Sequence, residues 1–368
     1  MQANKNKNII ISGGGTGGHI FPAISIANAL KNIDKNINIL FVGAKGKIEM
    51  EKVPAAGYKI IGLPIAGFQR RISFKNITLF FKLFKSLVLS KKIIKNFKPD
   101  IVVGVGGYAS GPVLMMANRK KIPTLIQEQN SYAGITNKLL ARKAKKICVA
   151  YKEMGKYFPN EKIIFSGNPV RQDLLNYINN KPVALKHFEL DSNKKVVLVL
   201  GGSLGARTIN NSIISNIENL LKENIQILWQ TGKNYYNEAV NSIKNIENSN
   251  IHVLDFIKRM DLAYSAADII ISRAGAGTIS ELSLVAKPVI LVPSPNVAED
   301  HQTKNAMALV KNQAAILVAD SEAKEKLIET VFLLKNDEDK INKLAINIAK
   351  MAMPDSAAII ANEILNLI

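Results

Sequence analysis

The sequence predicts an α/β protein made of two doubly wound parallel-sheet domains that face a common cleft. Three observations carry this expectation. At 368 residues the chain is too long for one ordinary hydrophobic core. Short apolar runs alternate with helical patterns, several joined by glycine-rich turns, which is the rhythm of parallel sheets covered on both faces. That rhythm pauses near residues 165–185 and then resumes.

In the first series NIIIS runs into the turn GGGTGG and a helix over roughly 22–32, and NINILFVG follows. DIVVGVGGYASGP repeats the unit, and TLIQEQN and KKICVA add strands. After the pause at FSGNPVRQDLL, DSNKKVVLVLGGSLGA opens the second series, which continues through IQILWQTG, NIHVLDF, ADIIISRAGAGT, PVILVPSP and AAILVA. The expected domains are 1–166 and 167–354, with a terminal helix over 355–368 joined to the first and capped by Asp355 or Ser356. In open α/β sheets ligands bind at the carboxyl ends of the strands, here the cleft side of both domains.

The composition is that of a soluble globular protein, 47% apolar and 21% charged. Lys and Arg number 49 against 29 acids, a net charge of +20. This balance favours nucleic acid, an anionic membrane surface or phosphorylated substrates, unless it reflects a drift toward Lys, Asn and Ile throughout. The single cysteine, Cys148, excludes an intrachain disulfide and fits a reducing compartment. The apolar run before the first glycines is too short for a signal-peptide core, and no run reaches the ~18–20 residues of a membrane span. A cytosolic protein, free to touch a membrane, is expected.

Four glycine turns stand at strand ends: 13–18, 104–111, 201–205 and 275–277. Such turns let backbone N–H groups approach a ligand, and the helix N-termini behind them suit phosphate. Any one could serve only tight packing. The spacing of Gly13, Gly15 and Gly18 is that of a dinucleotide-binding turn, but such a site needs Asp or Glu at the end of the second strand. Here LFVGAKGK carries no acid before Glu49, which disfavours a nicotinamide site. In the second half, Glu281 follows a glycine turn and suits a pair of sugar hydroxyls, or simply the helix dipole. Asp300, His301, Gln302 and Asn305 crowd one loop and helix start. The literal Asp337-Glu338-Asp339 reads as a solvated turn, and the four histidines lack metal-ligand spacing, so no protein-bound metal is expected.

Placed on a helical wheel, the segment 70–98 sets Ile77, Leu79, Phe80, Phe81, Leu83, Phe84, Leu87 and Val88 on a wide arc and Lys75, Lys82 and Lys85 on the other side. An arc this wide suits either an anionic membrane interface or a helix buried between layers.

The stretches GGGTGGHIFPA, GVGGYASGP, QEQNSYAGITNK, GNPVR, GGSLGA, SRAGAGTISE and DHQTKNA, in this order, resemble the MurG family over nearly the whole chain. These bacterial enzymes transfer N-acetylglucosamine from UDP-N-acetylglucosamine to lipid I and so form lipid II. The resemblance implies a GT-B glycosyltransferase fold, two Rossmann-like domains of which the second binds the UDP-sugar. Ile257 would meet uracil through its backbone and Glu281 the ribose. Ser203 and Arg171 match contacts to the diphosphate and nucleotide-sugar. Ala276, Gly277, Thr278, Ile279 and Ser280 would line the same pocket, with Gln302 near the sugar hydroxyls. Thr16, Gly17, Gly18 and Asn130 would reach the donor from the first domain.

The family reaction inverts the anomeric centre as the acceptor C4 hydroxyl displaces UDP. It needs a base, charge acceptors for the diphosphate and exclusion of water. His19, with an unperturbed pKa near 6.5, is the leading base, and Glu128 is its rival; His19 could instead only shape its turn. The resemblance also implies lipid I and the membrane as partners through residues 70–98, a peripheral location on the cytoplasmic face, and cell-wall synthesis proteins nearby, with no nucleic-acid role. The competing readings are a transferase for another membrane lipid, a UDP-N-acetylglucosamine 2-epimerase and a non-catalytic UDP-sugar-binding protein.

Overall fold

The structure, a computed structural model, describes residues 6–65, 75–170, 174, 180–202, 204–244, 246 and 250–368, and of residues 75–79 and 298 the backbone alone. The chain divides into two units: residues 1–170 with 353–368, and residues 171–352.

In the first unit β1 (Asn8–Ser12), β2 (Asn38–Ala44), β3 (Lys59–Leu63), β4 (Ile101–Gly104), β5 (Thr124–Glu128), β6 (Lys146–Val149) and β7 (Ile163–Phe165) form a parallel sheet in the order β3-β2-β1-β4-β5-β6-β7. In the second, β8 (Lys195–Leu200), β9 (Ile225–Gln230), β10 (Ile251–Leu254), β11 (Ile269–Ser272), β12 (Val289–Leu291) and β13 (Ile316–Leu317) form another, in the order β10-β9-β8-β11-β12-β13. Both are doubly wound. The direction of winding reverses between β1 and β4 in one sheet and between β8 and β11 in the other. The four glycine turns follow these four strands, at the switch points where open α/β sheets bind ligands.

Burial explains the unbroken apolar runs. Ile9, Ile10 and Ile11 of β1 are all fully buried. Ile10 packs with Val102 and Ile126 on one face, while Ile9 and Ile11 pack with Ile20 and Ile26 on the other. Central strands covered on both sides have no polar face to alternate. The sequence reading did not single out β3 or β7, the two edges of the first sheet. β3 is only partly buried along its length, and β7 is three residues long, so neither carries a strong apolar run.

The terminal helix, Ser356–Leu365, lies on the helix Gly17–Ile33 of the first unit, with Ile360, Ala361 and Ile364 fully buried. Neither expected cap operates. Asp355 makes no side-chain cap bond, and Ser356 Oγ donates to the Met353 carbonyl at 2.7 Å. Asp337, by contrast, caps the helix Glu338–Ala349 by accepting from Lys340 N at 2.9 Å, which gives the Asp-x-Asp match a structural role. Replacing a fully buried isoleucine by alanine costs about 2–5 kcal/mol. Ile360→Ala should therefore lower the melting temperature of the first unit by several degrees in calorimetry, and an unchanged transition would contradict this packing.

Candidate functional site

In the first unit three carboxyl-end segments meet. Thr16 is the extended residue before the helix Gly17–Ile33, and its hydroxyl lies 3.0 Å from His19 Nδ1. The imidazole rests on the backbone of the next turn: a Cβ on Gly106 would stand 2.7 Å from His19 Cδ2 and 2.9 Å from Nε2. Gly106 also has φ +86°, so both its conformation and its neighbour demand glycine. Gln129 Oε1 borders the same position at 3.6 Å, which brings the stretch after β5 to the histidine.

Glu128 is 2% exposed. Its Oε1 accepts from Asn130 N (3.1 Å) and Asn130 Nδ2 (3.3 Å), and its Oε2 from Gly134 N (2.9 Å) and Asn137 Nδ2 (2.8 Å). Burial pushes its pKa up, and the four hydrogen bonds pull against that shift. Four donors match the lone-pair capacity of a carboxylate. The acceptor capacity of Glu128 is thus committed within the loop carrying Asn130. Sequence reasoning missed the network beside it. Gln127 Nε2 donates to Asn168 Oδ1 (3.0 Å), and Asn168 Nδ2 donates to the Gln129 carbonyl (3.0 Å). The asparagine of GNPV therefore braces the QEQN stretch.

In the second unit Ile257, on the loop after β10, is buried. Its N–H donates to Gln230 Oε1 at 2.9 Å. Glu281 sits in the second turn of the helix Ala276–Val285, where the buried Tyr264 hydroxyl donates to its Oε2 at 3.1 Å. Ala276, Gly277, Thr278 and Ser280 are half-buried. The Ile279 side chain packs into the core at 3% exposure, because helical periodicity turns it inward with Leu282 and Ser283. The side-chain carbonyl oxygen of Gln302 accepts from Ala274 N (3.2 Å) and Ser294 N (2.9 Å), tying the loops after β11 and β12 together. Arg273, absent from the expected set, joins the same ends through the Val292 (3.0 Å) and Pro293 (3.2 Å) carbonyls and Asp320. Ser203 and Arg171 lie outside the described residues.

Among the described residues, no three His, Cys, Asp or Glu side chains are grouped as a metal site would require. No described helix is long and apolar enough to cross a membrane. The net charge is unevenly distributed. The first unit holds 28 Lys and Arg against 9 acids, a balance of +19, and the second 21 against 20, a balance of +1. On the first unit's helix Lys75–Phe97, the side chains of Lys75, Ile77 and Leu79 lie outside the described residues. Ser86, Ser90, Ile93 and Ile94 face inward. Phe80, Phe81 and Phe84 are 71, 69 and 63% exposed, and Lys82 and Lys85 are exposed among them.

The Arg259 guanidinium bonds both oxygens of Asp261 and, more than any other group, holds its carboxyl below the ordinary value. A lowered folded-state pKa contributes stability above the ordinary value of 3.8 that is lost as pH falls through the folded value. Asp261→Asn should lower the urea midpoint at neutral pH and flatten its decline below about pH 4. An acid limb identical to that of the parent would contradict the pairing.

Two family models cover most of the chain: the glycosyltransferase family 28 N-terminal domain over residues 9–149 and its C-terminal domain over residues 196–359. A Bacteroides thetaiotaomicron protein named UDP-N-acetylglucosamine–N-acetylmuramyl-(pentapeptide) pyrophosphoryl-undecaprenol N-acetylglucosamine transferase is 58% identical, covering 99% of this chain and 98% of its own. A Parabacteroides distasonis protein of the same name is 56% identical, covering 98% of each chain. The crystal structure of Acinetobacter baumannii MurG matches with a TM-score of 0.78 and 28% identity, over 98% of this chain and 99% of that one. A UDP-GlcNAc 2-epimerase from Neisseria meningitidis, bound to UDP-GlcNAc, matches with a TM-score of 0.68 at 17% identity, over 98% of this chain and all of that one, and shows the fold alone. With its paired Rossmann-like sheets and full-length identity above one half, the chain belongs to the MurG family of GT-B glycosyltransferases.

Proposed function

We propose that this chain transfers N-acetylglucosamine from UDP-N-acetylglucosamine to the C4 hydroxyl of the muramyl residue of lipid I, with inversion, and so forms lipid II. The observation that carries this reading at residue level is His19, held by the Thr16 hydroxyl at Nδ1 and seated on the bare Gly106 turn. If Thr16 accepts from Nδ1–H, Nε2 keeps the lone pair that a general base needs. His19 Nε2 then takes the acceptor proton as the C4 oxygen attacks the anomeric carbon and UDP departs. Glu128, committed to its own loop, orders Asn130 instead.

Donor binding falls to the second unit. The Ile257 main chain meets uracil, held in place by Gln230, and Glu281, steadied by Tyr264, accepts from the ribose hydroxyls. The N-terminus of the ten-residue helix at Ala276, Gly277 and Thr278 faces the diphosphate, with Ser203 and Arg171 as further contacts. Gln302 presents its amide end to the sugar, and Thr16, Gly17, Gly18 and Asn130 complete the donor contacts. No resident metal enters this scheme.

The exposed Phe80, Phe81 and Phe84, set among lysines on a unit of +19, suit an anionic membrane surface in which the acceptor's polyprenyl chain is anchored. On this reading the chain works peripherally at the cytoplasmic face of the membrane, near other cell-wall synthesis proteins. Burying one such phenylalanine stabilises binding by about 1.5–3 kcal/mol.

Labelled UDP-N-acetylglucosamine and a short-chain lipid I analogue test the central reading. The expected outcome is sugar on the muramyl residue; UDP release without transfer overturns it. His19→Ala should lower kcat by about 10²–10⁴-fold with donor affinity retained, and undiminished turnover would remove the base assignment. Glu281→Ala should weaken donor binding by about 10–100-fold, the effect of losing charged hydrogen bonds. That loss should shrink for a 2′,3′-dideoxyribose donor; an equal loss for both donors would refute the ribose contact. Liposome co-sedimentation should weaken with salt and with Phe81→Asp. Indifference to both would argue against a membrane face.

A further inference from the structure

We propose that Glu49 is a positioning residue for the transfer step: its carboxylate fills the anion seat of the first glycine loop and so sets the shape of the turn that carries His19. The proposal rests on the reading of His19 as base. Glu49 has no exposed surface. Both its oxygens accept from Gly15 N at 3.0 Å, and Oε1 also accepts from Ala44 N at 2.8 Å. Among the described residues its partners are backbone N–H groups, and no Lys, Arg or His pairs with it. A buried carboxyl group in such a setting is held by donors whose loss is costly.

The loop closes directly on this side chain. Gly14 has φ +142°, and a Cβ there would stand 2.0 Å from Glu49 Oε1. On its other side the loop touches the turn after β4, where a Cβ on Gly107 would stand 2.1 Å from the Gly14 carbonyl oxygen. Gly106, the residue before that contact, bears the His19 ring. The connection therefore runs from Glu49 through Gly14 and Gly15 to both turns that define the position of the imidazole.

In dinucleotide-binding folds the turn after the first strand offers its N–H groups to a ligand phosphate. In this chain the Gly15 N–H is already occupied by an internal acid. Glu49 lies five residues beyond the end of β2, at the start of the helix Glu49–Ala55, which brings the side chain back under the loop. The acid that a nicotinamide site would aim at a ribose is absent, and the acid that follows is turned inward as a substitute anion. The Gly15 N–H is thereby withheld from a phosphate.

The test uses the full chain with Glu49→Ala and Glu49→Gln, assayed with the labelled donor and the lipid I analogue, with and without sodium formate. Both variants should lose about 100-fold in kcat, the scale expected for a misplacement near 1 Å, while KM for the donor stays unchanged. Formate should restore kcat in Glu49→Ala by refilling the seat, and sodium chloride at equal ionic strength should not. In ¹⁵N-histidine spectra, the signal assigned to His19 by its loss in His19→Ala should move in both variants and return with formate in Glu49→Ala. Retention of kcat, or a His19 signal that does not move, overturns the proposal. If Glu49→Ala does not fold, the isosteric Glu49→Gln decides by the same two readouts. Full turnover by His19→Ala would sink the base reading alone, and the His19 signal would still report whether Glu49 positions the loop.

Discussion

Parallel strands joined by right-handed crossovers can bury both faces of a sheet only if the winding runs outward in two directions. At the reversal two neighbouring strands send their following loops to opposite faces, and a gap opens beyond their carboxyl ends. In this protein that constraint acts twice, at β1 and β4 and again at β8 and β11. The glycine turns follow from it, since only a backbone without side chains lets adjoining loops approach as closely as Gly107 approaches Gly14. The candidate residues gather at these ends because the topology leaves space there.

Loops at the carboxyl ends of the strands are held by polar side chains of the same unit, all buried except the half-buried Gln302. Glu49 closes on Gly15, Glu128 on Asn130 and Gly134, Gln230 on Ile257, and Gln302 on Ala274 and Ser294. Each offers oxygen acceptors to backbone N–H groups that neither sheet nor helix satisfies. A buried unpaired donor is costly, so these contacts specify one loop geometry among many. Such prior ordering is what a transfer reaction needs, because dipoles already aimed at a developing charge require no reorganisation.

Charge is divided as sharply as the fold. The first unit carries +19 and the second +1, a difference that comes more from the acids, 9 against 20, than from Lys and Arg, 28 against 21. The excess lies on the unit whose helix Lys75–Phe97 turns three phenylalanines outward while small serines face its neighbours. Among the described residues Phe80, Phe81, Phe84 and Val88 of the apolar arc are exposed, which distinguishes this part of the helix from one buried between layers.

Much of this was legible in the residues themselves. Apolar runs, glycine turns and the pause between two series are local patterns, and local patterns suffice to announce doubly wound sheets and, through seven ordered motifs, a family. The sequence by itself thus determined the fold class, the glycosyltransferase family and the sites where the chain must bend. The edge strands β3 and β7 were hidden because partial burial weakens their apolar signal. Side-chain direction was hidden for a different reason. Ile279 turns into the core while Glu281, two residues on, holds Tyr264; Gln302 binds backbone; and Glu49 reaches a loop 34 residues away. These outcomes depend on which donors lie opposite each acceptor, and a chain acquires those neighbours only when it folds. Only the tertiary structure decided which acids turn inward to hold a loop and which backbone donors they meet.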